Sequence, residues 1–155
     1  MTTNKEVVCE DLIFLDVDES SRDNLLLNLG NKLVEKGYVK ESYPRALVER
    51  EKTYPTGLNT DGIPVAIPHT DMKHVNKTSI LIAKLKKPVV FKEMGLGVKD
   101  VKAELIFMLA IKDPSFQVKT LGKLMSIFSN KKELMNIYNS EDKKEIKEKM
   151  KKILN

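Results

Sequence analysis

Cysteine is nearly absent from this 155-residue chain: Cys9 stands alone. A single cysteine excludes an internal disulfide framework and fits a reducing compartment. Histidine is almost as scarce, with His69 and His74 the only two. A structural zinc site wants four ligands in recognisable spacing, so two nearby histidines with Asp71 and a distant Cys9 argue against a metal centre. No run approaches the ~20 apolar residues of a membrane span. The start, Met1-Thr2-Thr3-Asn4-Lys5, has no apolar core of a secretory signal. Repeats, low-complexity tracts and long linkers are also missing. These absences imply a soluble, cytoplasmic protein with no direct membrane insertion, no metal and no cofactor motif.

Arginine is scarce too. Of 27 basic residues only Arg22, Arg45 and Arg50 are arginines, and the formal net charge is +5. The lysines are scattered, and those between Lys143 and Lys152 alternate with Glu145 and Glu148. Mixed signs along a helix describe a solvated face rather than a nucleic-acid footprint, so no nucleic-acid partner is expected. The surplus positive charge can steer an acidic protein partner.

With 41% apolar and 32% charged residues the composition is that of an ordinary globular protein. The length predicts one domain, residues 1–155, able to remove about 70% of its unfolded surface from water. Asp11 to Asp18 reads as a first strand. Ser20 or Ser21 caps a helix carrying Leu25, Leu26, Leu29, Leu33 and Val34, which stops at Gly37. Ser42 precedes a second helix running through Glu51, with Pro44 in its first turn. Thr53 to Gly62 reads as a loop. Strands follow at Thr78 to Lys84 and Glu104 to Ile111, with a shorter one at Pro88 to Phe91. Three helices close the chain, at Ser115 to Phe128, Lys131 to Tyr138 and Ser140 to Leu154. The apolar stripe from Val118 to Phe128 is expected to be core. Interleaved strands and helices predict an α/β fold, a single-domain mixed β-sheet flanked by helices on both faces.

The most informative segment is Asp61-Gly-Ile-Pro-Val-Ala-Ile-Pro-His-Thr-Asp71. Proline fixes φ near −65° and biases the preceding residue toward extended backbone. The backbone entering His69 is therefore stiff, and the imidazole leaves a strand end in a restricted direction. Such presentation suits a nucleophile that must meet a reacting group at a set angle.

Gly62-Ile-Pro-Val-Ala-Ile-Pro-His69, with Pro55-Thr56-Gly57-Leu58 upstream and Thr70-Asp71 downstream, resembles the active-site stretch of bacterial phosphotransferase-system enzyme IIA, fructose/mannitol type. With His74-Val75 following, the spelling is most like the galactitol-specific subgroup. The resemblance extends over roughly Leu12 to Leu154. It implies that His69 accepts a phosphoryl group from the phosphocarrier HPr and passes it to a cysteine of enzyme IIB, which feeds sugar uptake through the membrane enzyme IIC. It also implies an active-site arginine, Arg50, in the family's Arg-Glu-Lys context.

The chemistry agrees with that role. A histidine near its ordinary pKa of about 6.5 is mostly neutral at cytoplasmic pH and has a free lone pair on one ring nitrogen. In-line phosphoryl transfer then needs positioning and positive charge more than acid–base shuttling. Thr56 and Thr70 are candidate hydroxyl donors to the phosphoryl oxygens, with turn formation the alternative role for both. His74 is expected near the active face. Many members of the family carry a second histidine after the Glu104–Ile111 strand. Here Gln117 falls at about that place, and its amide can donate a hydrogen bond but cannot carry a proton. Apolar surface is expected around His69, with small transient interfaces of at most about 1,200 Å². Two other readings stay open: a regulatory module whose phosphorylation state controls a partner, and a non-catalytic binding domain.

Overall fold

A computed structural model describes residues 7–154. The segment Met1 to Lys5, read above for a secretory signal, lies outside the described residues. Five strands form one mixed sheet: β1 (Ile13–Val17), β2 (Gly57–Leu58), β3 (Val65–Ala66), β4 (Ser79–Lys92) and β5 (Asp100–Ala110). Their order is β1-β4-β5-β3-β2. The pairs β1–β4 and β3–β5 are parallel, whereas β4–β5 and β2–β3 are antiparallel.

Helices cover both faces of the sheet. Along β4, Leu81 and Ala83 join one buried cluster while Ile80 and Ile82 join the other, as the two-residue period of a strand dictates. On the first face lie α1 (Arg22–Glu35) and α2 (Tyr43–Thr53), held by Leu25, Leu26, Leu29, Leu33, Tyr43 and Leu47. On the second lie α3 (Pro114–Phe128), α4 (Lys131–Asn139) and α5 (Lys143–Leu154), through Leu124, Ile127, Leu134, Ile137, Ile146 and Met150. Burying each such aliphatic side chain contributes about 1.5–3 kcal/mol, so the two clusters hold the layers together.

Local signals place the helix ends. Ser21 caps α1, its hydroxyl accepting from the Asn24 N–H. Beyond that helix Gly37 takes φ +82°, a left-handed conformation suited to glycine. Ser42 stands at the N-cap of α2 but makes no capping hydrogen bond. Its Oγ lies 2.7 Å from His74 Nδ1 instead.

Three expectations are corrected. The two strands anticipated between Thr78 and Phe91 are one, β4. It crosses Pro88 where the register with β5 slips between Lys84 and Val89, and such an irregularity is where a strand tolerates proline. The Thr53–Gly62 loop contains β2, too short to show a period. The chain between Ile63 and Ile67 is extended only at Val65–Ala66, and His69 makes an isolated bridge to Leu109 beyond it.

Gly57 explains how β2 enters the sheet. A Cβ there would sit 2.7 Å from the Lys92 carbonyl oxygen and 2.9 Å from Val101 Cβ. The missing side chain lets β2 close on the β4–β5 hairpin, and the Met94 N–H then donates to the Gly57 carbonyl at 2.8 Å.

Candidate active site around His69

His69 is reached from β3 through two buried residues, Ile67 and Pro68. The Leu109 N–H donates to the Pro68 carbonyl at 2.9 Å, tying this exit to the C-terminal end of β5. His69 Nδ1 lies 2.8 Å from the Ile67 carbonyl oxygen. A carbonyl only accepts, so Nδ1 carries the proton and Nε2 keeps its lone pair. Burial pushes the His69 pKa below its ordinary value. The bond to the Ile67 carbonyl pulls it up, and the positive charge of Arg50 lowers it further. The net shift is downward, which favours the neutral ring.

The imidazole lines a cavity of about 340 Å³. Tyr54, Pro55 and Thr56 come from the end of α2, Ile67 and His69 from the exit of β3, Met94 from the end of β4, and Leu121 and Met125 from α3. The walls are otherwise mostly apolar. Leu121 and Met125 belong to a stripe expected to be core. Leu124 and Phe128 are buried as expected, but Leu121 and Met125 face the cavity, and Val118 is exposed. Helical periodicity alone cannot tell a core-facing turn from a groove-facing one.

Arg50 occupies the last turn of α2, its guanidinium carbon 4.3 Å from the centroid of the Tyr54 ring. Its positive charge lowers the His69 pKa. Thr56 comes to the cavity, but it is buried and its hydrogen bonds run inward. Its Oγ1 lies 2.9 Å from Glu51 Oε1, and its N–H donates to Glu51 Oε2 at 2.7 Å. Thr70 is half-buried beside His69 and is not among the cavity-lining residues.

His74 is not among the cavity-lining residues. It ends the short Met72–His74 turn and faces Ser42, at the N-terminal end of α2, opposite to Arg50. Asp71 caps that turn, accepting from the Lys73 N–H at 2.9 Å, so His69, Asp71 and His74 do not converge. Among the described residues no group of three or more His, Cys, Asp or Glu side chains is gathered as a metal ion would need. Gln117 is half-buried in the first turns of α3. It precedes Leu121 and Met125 by one and two turns on the same helix face but is not among the cavity-lining residues.

Sequence reasoning missed Glu51, which is 2% exposed. Its charged character gave no signal of burial, although it adjoins Arg50. Met94 was missed too, since only the β4–β5 hairpin brings it to the site. Among the cavity-lining residues Tyr54 and Met125 are exposed, giving His69 an apolar rim.

Fold and site together define a class: a mixed α/β domain presenting one histidine, its pKa lowered by burial and by the charge of Arg50, in a largely apolar cavity. Residues 6–153 match the family described as phosphoenolpyruvate-dependent sugar phosphotransferase system, EIIA 2. The chain belongs to that family and is a phosphotransferase component of the EIIA type. The galactitol-specific EIIA component of Escherichia coli K12 is 32% identical over 107 residues, covering 66% of this chain and 71% of the relative. The transcriptional regulator ManR of Bacillus subtilis is 39% identical over 101 residues, covering 65% of this chain but 14% of that protein. Among solved structures, the mannitol enzyme IIA of Escherichia coli, in its complex with phosphorylated mannitol enzyme IIB, superposes with TM-score 0.68. It has 21% identity and coverage of 94% of both chains. Among the described residues no helix is long and apolar enough to cross a membrane.

Proposed function

We propose that His69 accepts a phosphoryl group from the phosphohistidine of HPr and hands it to a cysteine of an enzyme IIB, for uptake of a polyol of the galactitol type. The observation that carries the reading is the 2.8 Å contact of Nδ1 with the Ile67 carbonyl, which commits the ring proton and leaves Nε2 nucleophilic. The Nε2 lone pair attacks phosphorus in line. A new N–P bond forms as the donor's N–P bond breaks, and the departing imidazole takes that electron pair. Arg50 offsets the negative charge spread over the equatorial oxygens. Gln117 and Thr70 are candidate donors to those oxygens. Thr56 holds the wall of the site. In the second transfer the cysteine thiolate attacks the phosphoryl group and His69 leaves with the N–P electron pair.

The pairing of the mannitol enzyme IIA with phosphorylated enzyme IIB supports the choice of acceptor, and the galactitol relative supports the sugar class. Such partners put the domain in the cytoplasm, with enzyme IIC met only indirectly. Incubation with phosphoenolpyruvate, enzyme I and HPr should add one acid-labile phosphoryl group by intact mass. His69→Ala should add none, and full labelling of that variant would remove His69 from the role.

The similarity to ManR favours a second reading, a module whose phosphorylation state controls a partner. That reading predicts a phosphorylated form that a galactitol-type enzyme IIB does not drain, against rapid loss of label in the transport reading.

A further inference from the structure

Glu51 is a buried carboxylate that the transfer chemistry above does not use. It lies in the last turns of α2, where the helix dipole disfavours negative charge. Burial pushes its carboxyl pKa up, while the backbone and side-chain hydrogen bonds from Thr56 and the charge of Arg22 pull it down. A buried carboxyl with so little solvent is expensive unless something specific is gained from it.

The hydrogen bonds show where it leads. Glu51 Oε2 accepts from the Thr56 N–H at 2.7 Å, and Oε1 accepts from Thr56 Oγ1 at 2.9 Å. With its own proton directed to the carboxylate, Thr56 Oγ1 offers a lone pair to the Ile67 N–H at 3.2 Å. The same N–H is shared with the Thr56 carbonyl at 3.3 Å. The carbonyl of Ile67 then receives the His69 Nδ1–H at 2.8 Å. A series of hydrogen bonds therefore runs from α2 to the Ile67 N–H, and a separate one joins the Ile67 carbonyl to the imidazole, so the link between them is the backbone position of Ile67 rather than polarisation.

We propose that Glu51 is a positioning residue for His69, acting through Thr56 and Ile67 to hold the proton on Nδ1 and the lone pair on Nε2. The inference rests on the reading of His69 as phosphoryl acceptor. The identity of the protonated nitrogen in a histidine is set by the hydrogen bond that the other nitrogen makes. Here that bond is only as well aimed as the Ile67 carbonyl, which the Thr56 side chain fixes from the N–H side of the same residue. Glu51 also anchors the Tyr54–Thr56 wall of the cavity, so one carboxylate orients the nucleophile and the surface beside it. Partners of this indirect kind at histidines that bind metals change affinity or activity by about 10–100-fold when lost.

The decisive experiment is ¹⁵N NMR of the unphosphorylated protein, read for the His69 tautomer, alongside the single-turnover rate from phospho-HPr. Wild type should show Nδ1 protonated and Nε2 bare. In Glu51→Gln one of the two acceptor oxygens becomes a donor. With Oε2 kept for the Thr56 N–H, Thr56 Oγ1 retains only its longer 3.2 Å contact with Oε2, so the Nε2–H tautomer should appear and the rate should fall about 10–100-fold. Thr56→Val, which cuts the series at its middle, should do the same, and should add little to Glu51→Gln in the double variant. Thr56→Ser restores the hydroxyl and should restore the Nδ1–H signature. If Glu51→Gln does not fold, the two Thr56 variants make the same comparison. Wild-type tautomer signals in Glu51→Gln or Thr56→Val, with only a lower Tm, would overturn the proposal and leave Glu51 as a helix-end brace. The tautomer measurement needs no phosphate, so a wild type that refuses phosphoryl transfer, with variants that still show the tautomer change, would defeat the acceptor reading while sustaining this one.

Discussion

Replacing Arg50 by glutamine removes the guanidinium whose charge acts on His69. Phosphoryl transfer develops negative charge on three equatorial oxygens, and withdrawing one preorganised donor from such charge costs about 10²–10³ in rate, or about 2.7–4 kcal/mol. The guanidinium is also stacked 4.3 Å from the Tyr54 ring centroid. Tyr54 is 58% exposed, and a cation–π contact at an exposed site is worth only about 0.5–1 kcal/mol. That amounts to at most about fivefold in rate. Arg50→Gln should therefore slow single-turnover labelling of His69 by about 10²–10³-fold, whereas Tyr54→Leu should slow it by no more than about fivefold. Arg50→Lys keeps the charge without the planar fork and should fall between them. Rapid-quench mixing with radiolabelled phospho-HPr measures all three, with circular dichroism to confirm the fold. A second signature is independent of the rate. Because Arg50 lowers the His69 pKa, Arg50→Gln should shift the acid limb of labelling to higher pH. Labelling by Arg50→Gln within fivefold of wild type would refute the reasoning and leave Arg50 complementing the dipole at the C-terminus of α2.

The sign of the pH dependence follows from burial of His69, which outweighs the Ile67 hydrogen bond and, with Arg50, sets its pKa below the ordinary 6.5. The nucleophile should stay neutral as the pH falls through that value, and labelling should decline only at more acid pH. The stability linked to this depressed pKa is present above the unfolded value and fades as pH drops through the folded one. An NMR titration placing the His69 midpoint at or above 6.5 would contradict this. Gly57→Ala would put a methyl 2.7 Å from the Lys92 carbonyl oxygen and 2.9 Å from Val101 Cβ. It should destabilise the domain by about 1–3 kcal/mol, lowering Tm by about 2–4 °C for each kcal/mol. Calorimetry showing an unchanged Tm would refute the close approach of β2 to the β4–β5 hairpin.

Much of this architecture is legible along the chain because its causes are local. Ser21 and Gly37 bracket α1, Pro44 opens α2, and Asp113-Pro114 opens α3, each through backbone chemistry within a few residues. The alternation in β4 and β5 and the leucine spacing of α1 foretell a sheet with helices on both faces. The stiff Ile67-Pro68-His69 presentation is equally local, as is the position of Arg50 at the end of its helix.

Other features depend on contacts between residues far apart, and those contacts alone decided them. Pro88 reads as a strand break, yet pairing with β5 carries β4 past it because ten paired positions outweigh one lost donor. Val118, Leu121, Leu124 and Met125 share one pattern, and only the packing of α3 against the sheet buries Leu124 while leaving Leu121 and Met125 to line the cavity. His74 reads as a residue near the active face, and only the fold sets its partner, Ser42 at the N-terminal end of α2. Nothing in the sequence marks Glu51 as buried, and only the fold brings Thr56 back to it. The sequence by itself determined which histidine is presented and on what kind of fold, since proline stiffness and strand and helix periods act over neighbouring residues. Tertiary structure decided which ring nitrogen carries the proton, what walls the cavity and which carboxylate holds Thr56, because the cavity requires segments far apart in sequence to meet and no strand or helix period sets the hydrogen bonds of His69 and Thr56.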